Sequence, residues 1–202
     1  MTPAGPGGLL VVGDVMVDVV AAHDEALRPA SDTAARIRMV GGGSAANTAA
    51  WLAHLGERPT LLCAVGDDPL GVGARHDLAA AGVELAASVI HGCSTGTCVV
   101  LVGPDGERTM LPDRGANDRL PVDAVVPALE AAGSSPGTPG WLHLSGYTLI
   151  GRGSRDAGRA ALEVGLARGW RVSVDAASSG PIADVGASAF LDWVAGATVV
   201  LA

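Results

Sequence analysis

"MVGGGSAANTAAWLAHLGERPTLLCAVGDDPLG", Met39 to Gly71, decides how this chain is read. Three glycines precede a run in which Ala46, Ala49, Ala50 and Ala53 fall at i, i+3, i+4 and i+7, one face of a helix. Ser44 stands where it can cap that helix, and Gly56 where it can end it. "TLLCAVG" then reads as a buried strand. "PLGVGARHDLAAAG" reads as a second helix closed by Gly82, and Asp67-Asp68 ahead of Pro69 as its cap in preference to a metal pair. Glycines before a helix often cradle a phosphate. What this loop holds is therefore the question.

Upstream, "LLVVG" is a short apolar run ending in Gly13, a buried strand, and "DVMVDVV" continues it with Asp14 and Asp18 at polar positions. "ARIRMV" alternates polar and apolar, as a half-exposed strand does. Downstream, "TGTCVVLVGPDGERTML" is a hairpin around Gly103-Pro104-Asp105-Gly106. "LPVDAVVPALEAAG" reads as a helix despite Pro127, and "SSPGTPG", 134–140, as a loop. "WLHLSG", "RDAGRAALEVGLARG" and "WRVSVDA" then read strand, helix, strand, and "GATVVLA" begins another strand. Strands alternating with helices imply right-handed βαβ units and a mostly parallel sheet. The hairpin and the segment 14–40 break that alternation and read as an inserted β flap. Ligands of such folds bind beyond the carboxyl ends of the strands.

The 202 residues suffice for one domain with a real core. A net charge of −8 argues against a nucleic-acid or anionic-membrane surface, both of which need clustered cations. All 13 basic residues are Arg, so the Lys-dependent G-x-x-x-x-G-K-[ST] phosphate loop is excluded. Cys63, Cys93 and Cys98 form no C-x-x-C pair and read as reduced thiols. The scattered His argue against a structural metal site. No apolar run is long enough for a membrane span. "MTPAGPGG" lacks a basic start and reads as a flexible lead, not a signal peptide. A cytoplasmic protein is the resulting expectation.

Gly41-x-Gly43-x-x-Ala46 loosely matches the dinucleotide fingerprint G-x-G-x-x-A, with Asp67 about 20 residues on. Against that, the first strand runs into Gly13-Asp14 instead, and a carboxylate there would repel a pyrophosphate. A purely structural role would be a tight turn and close helix packing. That leaves Asn47 unexplained, a polar residue in the first turn of an Ala-rich helix, whose amide suits a hydroxyl-rich ligand.

"GGGSAANTAAWLAHLGERPTLLCAVGDDPLG" resembles the first signature of the ribokinase/PfkB family of carbohydrate kinases. "VVGDVMVDVV" resembles that family's opening strand. "STGTCVVLVGPDGERTMLPDRGAN" is similar to its lid hairpin with the following Gly-Ala-Asn, and "WLHLSGY" and "VSVDAAS" to the next two strand ends. The resemblance implies a ribokinase-like three-layer α/β/α sandwich, a single domain over 1–202, with a small β lid from about 14–40 and 96–112. It implies a kinase that moves the ATP γ-phosphoryl group to a sugar hydroxyl. Asp18 then corresponds to the residue that accepts sugar hydroxyl protons, and Gly42, Gly43 and Asn47 to the sugar-contact loop. Val100 and Pro112 match lid positions over the sugar's apolar face. The other reading of Asp18 is an exposed charge on an edge strand. Arg114 reads equally as a group for an anionic substituent of the sugar or as a solvated lid residue. The lid also offers a surface for a homodimer.

The chain departs from ribokinase at three places: Met16 stands for its Asn, Ser44 for its Lys and Ser145 for its Glu. Ribose is therefore not assured as the substrate. In the family, an Asn-x-x-Glu element tied to Mg2+ and a Gly-Ala-Gly-Asp segment with the catalytic base follow; neither occurs here. "DRGAND", 113–118, reads as the Gly-Ala-Asn after the lid and not as that base motif. The expectation is a fold truncated on its C-terminal side, with no catalytic or metal residue in this chain and with ATP and Mg2+ belonging to the complete enzyme. Two alternatives stand: a non-catalytic sugar-binding remnant, and a nucleotide-dependent oxidoreductase.

Overall fold

The computed structural model describes residues 7–133 and 139–202. The flexible lead expected at 1–8 and the loop expected at 134–140 therefore lie largely outside the described residues. In chain order the elements are β1 (Leu9–Val12), β2 (Met16–Ala22), β3 (Arg36–Gly42), α1 (Ser44–His54), β4 (Thr60–Gly66), α2 (Pro69–Ala80), β5 (Glu84–Ile90), β6 (Gly96–Val102) and β7 (Arg108–Asp113). There follow α3 (Val125–Ala131), β8 (Trp141–Ser145), α4 (Gly146–Ile150), α5 (Arg155–Ala167), β9 (Arg171–Asp175), α6 (Ser179–Val185), α7 (Ala187–Trp193) and β10 (Val199–Leu201).

Two sheets result. One has six parallel strands in the order β10-β9-β8-β1-β4-β5, and the other four strands in the order β3-β2-β6-β7. The larger sheet is covered on both faces. On β4, Leu62 and Ala64 point into one core with Leu10, Leu129, Leu142 and Leu162, under α3 and α5. Leu61, Cys63 and Val65 point into the other, with Val11, Ala45 and Ala49 under α1. Alternate residues of one strand thus serve two layers, which is why "TLLCAVG" is apolar without a break. This is the α/β/α sandwich that the resemblance implied.

Several local expectations needed correcting. β3 is not half-exposed: every residue but Gly42 is exposed, because it is the edge of the small sheet. Segment 84–90 forms β5, missed because "ELAASVI" carries no turn signal and few β-branched residues. The short helices α4, α6 and α7 were missed too, since a turn or two is too short for a visible period. Pro127 is tolerated because it is the third residue of α3, where no intrahelical N–H bond is lost. The cap of α2 is as read: the Asp68 side chain accepts the Gly71 N–H at 2.8 Å.

Leu62 is wholly buried between the sheet and the α3–α5 layer. Leu62→Ala should lower the unfolding free energy by about 2–5 kcal/mol, read as an earlier midpoint in urea with an unchanged slope. A midpoint within error of the wild type would mean that this layer is not the core.

Candidate functional site

The small sheet gathers most of the residues singled out above onto one face. Asp18 pairs with Val40 and with Cys98, and Cys98 with Pro112. Directly paired residues share a face, as do residues two apart on a strand. The next row one way is Gly42, Met16 and Gly96; the other way it is Arg38, Val20, Val100 and Met110. Asp18, Gly42, Val100 and Pro112 therefore lie together. β2 is an inner strand, so the reading of Asp18 as an edge-strand charge does not hold.

Their environments differ. Val100 is only 3% exposed, packed with Met16 and Cys98 on that face, and presents little surface of its own. Pro112 is exposed, and Asp18 half-buried. Asn47 is exposed on α1 and, with Gly42, lines a cleft of about 470 Å³ between the small sheet and α1 and α2. Gly42 is the link between the two parts, because a Cβ there would overlap the Asp18 carboxylate. Gly43 has φ +96° and its Cβ would collide with the Asp14 carbonyl oxygen. Gly41 faces open space, so two of the three glycines are sterically required.

The start of α1 is organised by Asp14, which the sequence reading passed over as a site residue. Its Oδ2 accepts the Ser44 N–H at 2.9 Å, and its carbonyl oxygen accepts the Ala46 N–H at 3.2 Å. Ser44 is thus not the cap but the first helical residue, and the cap comes from 30 residues upstream. Its hydroxyl donates instead to Asp175 Oδ2 at 2.6 Å, while the Ser145 hydroxyl donates to Asp14 Oδ1 at 2.8 Å. The two serines that replace Lys and Glu therefore tie together the carboxyl ends of β1, β8 and β9. Met16, the third departure, rests against the Asn117 amide, 3.2 Å from its sulfur. That amide also clasps the Val15 N–H and C=O, both at 2.9 Å. Asn117 thus anchors β2 to the segment after the hairpin. A signal for both was present: an Asp directly beyond the first strand, and an Asn after Gly-Ala.

This geometry answers the question of the glycine loop. Two N–H groups of the first turn of α1 are already taken by Asp14, that of Ser44 by its carboxylate and that of Ala46 by its main-chain carbonyl, so that turn is a poor cradle for a phosphate. The strand leading into the glycines is β3 of the small sheet, not a strand of the parallel sheet. The dinucleotide reading fails on that topology.

Burial, and next to it the Asp14 charge, push the Asp18 carboxyl above its ordinary value of 3.8. Burial and Asp18 likewise raise the Cys98 thiol, and burial alone carries Cys63 to about 12. All three cysteines are free. Burial works to raise Asp68, but hydrogen bonds from Thr95 and Gly71 outweigh it and hold the carboxyl low. Asp67 is held low by the Gly92 N–H and His91. Both acids are thus engaged locally. Arg114 donates from Nε to Asp118 at 2.6 Å. Among the described residues no group of three or more His, Cys, Asp or Glu side chains is arranged to hold a metal ion. Among the described residues no helix is long and apolar enough to cross a membrane.

Residues 8–134 match the pattern of the pfkB family carbohydrate kinases. The chain is 41% identical over 116 residues to an ATP-dependent ribose-1-phosphate kinase of Halopiger xanaduensis, covering 55% of this chain and 38% of that protein. It is 33% identical over 167 residues to a fructokinase of Salmonella typhimurium, covering 82% and 49%. The chain thus spans half or less of the length of these relatives. Among solved structures, adenosine kinase from Sinorhizobium meliloti superimposes with a TM-score of 0.80 at 27% identity, over 97% of this chain and 64% of that one.

A raised native-state pKa means that the folded protein holds the Asp18 proton to higher pH than the unfolded chain does. Stability contributed by this group is full at low pH and falls as pH rises through that window. Asp18→Asn should therefore melt at a higher temperature than the wild type near about pH 7, with the gain closing as the pH drops below about 4. Differential scanning calorimetry across that range checks this; a lower melting temperature for Asp18→Asn at neutral pH would contradict it.

Proposed function

Since the chain belongs to the pfkB family of carbohydrate kinases, we propose that its four-stranded sheet is a lid over a sugar and that Asp18 accepts the sugar's hydroxyl protons. The observation that carries this reading is Asp18 itself. It is an ionisable group held against its own solvation preference on an inner strand, and it has no hydrogen-bond partner within the protein among the described residues. An acid so placed costs stability unless a ligand uses it. A carboxylate accepts two hydroxyl protons at once, and partial burial strengthens both bonds. Gly42 leaves the carboxylate room, Asn47 adds an amide at the neighbouring cleft, and Pro112 offers an apolar surface to the sugar's C–H face.

The reaction is transfer of the ATP γ-phosphoryl group to a sugar hydroxyl, with the substrate drawn from sugars, nucleosides and sugar phosphates in the cytoplasm. ATP supplies the phosphoryl group when bound. Transfer also requires charge neutralisation and a proton acceptor at the attacking hydroxyl. The 202 residues contain neither Gly-Ala-Gly-Asp nor Asn-x-x-Glu. In this reading they hold and orient the sugar, and on their own do not turn it over.

The opposite face of the lid supports a homodimer. Met39, Val99 and Leu111 pair across it in one row and are 57%, 41% and 54% exposed. A contiguous apolar sheet face of this kind is an interaction surface, and a second copy offers the same apolar face in return.

Calorimetric titration of the 202-residue chain with sugars, nucleosides and sugar phosphates should show saturable binding by at least one. Asp18→Ala should weaken it at least about tenfold, with no ADP release from ATP. Unchanged affinity in Asp18→Ala removes Asp18 from the site, and sugar-dependent ADP release overturns the division of labour. Light scattering should give a particle of twice the 20.0 kDa chain mass, and Leu111→Glu should return it to one. A monomeric wild type would sink the dimer.

A further inference from the structure

The Asp18 face carries a cation that no carboxylate neutralises among the described residues. Three nearby arginines have carboxylate partners: Arg28 with Glu25 at 2.7 Å, Arg36 with Asp24 at 2.8 Å and Arg114 with Asp118 at 2.6 Å. Arg38 has no ion pair among the described residues. It stands on β3 opposite Val20, two residues from Val40, which faces Asp18. Arg38 and Asp18 are therefore diagonal neighbours on one face, about 7–8 Å apart at their Cα atoms. The other unpaired arginine of this sheet, Arg108, sits opposite Val102 on the far edge strand. It is two rows and two strands from Asp18, too far to share one small ligand with it.

We propose that the site takes a sugar phosphate, with Asp18 on the ring hydroxyls and Arg38 on the phosphate. This rests on the assignment of Asp18 to the sugar made above. A guanidinium matches phosphate geometry with two parallel N–H···O bonds. Val20, between Asp18 and Arg38 in the same pattern, gives the sugar's carbon skeleton an apolar contact. A chain of net charge −8 offers an anion no long-range attraction, so phosphate selectivity has to come from a local cation. Arg114 is the weaker candidate, because its Nε is committed to Asp118. Charge on an edge strand also discourages edge-to-edge pairing. That role is indifferent to ligand identity, so selectivity between ligands is the decisive readout.

The test is calorimetric titration of the 202-residue chain with ribose against ribose 1-phosphate and fructose against fructose 6-phosphate, at low and high salt. The phosphorylated member of at least one pair should bind about tenfold or more tightly at low salt. Arg38→Gln should abolish that preference while leaving the neutral sugar within about twofold of the wild type. Arg38→Lys should retain part of the preference, and Arg114→Gln all of it. Equal binding of both members of each pair, or a preference that survives Arg38→Gln, overturns the role of Arg38 and leaves Asp18 untouched. Loss of preference in Arg114→Gln but not in Arg38→Gln transfers the role to Arg114 and overturns the proposal. Absence of binding by every sugar, phosphorylated or not, overturns this proposal together with the assignment of Asp18.

Discussion

The Asp14 carboxyl group lies where the first strand of the parallel sheet ends, and three separate parts of the chain close onto it. It caps α1, receives Ser145 from the end of β8 and, through the Ser44 backbone, shares a residue with Asp175 at the end of β9. Asp14 is almost wholly buried and Ser145 completely so. A buried carboxylate is tolerated only when its oxygens are satisfied, and here each oxygen has a donor. The location of the glycine loop follows from this. Gly43 must be glycine because the backbone passes against the Asp14 carbonyl, and the lid strand β3 is thereby delivered beside β2. The face that carries Asp18 exists because Asp14 holds the two sheets at this junction.

Much of this was legible in the sequence, for reasons that differ by element. β1 and β4 were readable because both faces of the sheet are covered there and the strands are apolar almost throughout, β8 and β9 because apolar residues alternate along them. The hairpin was readable from its Gly-Pro-Asp-Gly turn, and its Gly106 indeed has φ +82°. β5 was not, since an edge strand needs neither alternation nor a continuous apolar run. The site was legible only in part. Asp18 and the paired glycines stood out as residue types that a core does not need. Asp14 and Asn117 did not, because their partners lie 131 and 102 positions away, and no local spacing encodes such a bond. Arg38 was hidden for a related reason, since what distinguishes it is its placement diagonal to Asp18 across β2 and β3.

The departures from the ribokinase pattern turn out to be coordinated. A lysine at position 44 would bring a long cation toward the Asp175 carboxylate; serine replaces it with a short hydroxyl that donates to the same carboxylate. At position 145 a glutamate would face Asp14 as a like charge, and serine converts that contact into a donated hydrogen bond. A cation and an anion have been exchanged for two hydroxyls, with no change in net charge. The junction keeps its connections in a smaller and less charged form.

The position of β1 in the sheet has a consequence for how the protein is made. Of the ten strands described, β1 is synthesised before the others, yet it is a central strand whose neighbours are β4 and β8. β4 follows within some fifty residues, by the register Leu10 to Thr60, but β8 begins only at Trp141. At roughly 5–20 residues per second of synthesis, one edge of β1 waits several seconds for its partner, with Val12 and the Asp14 carboxylate unmatched. During that interval the lid hairpin and the α1–β4 unit are already out and able to fold. The nascent chain therefore passes through a stage with a formed lid and an open central edge, and its vulnerability to aggregation is greatest before Ser145 reaches Asp14.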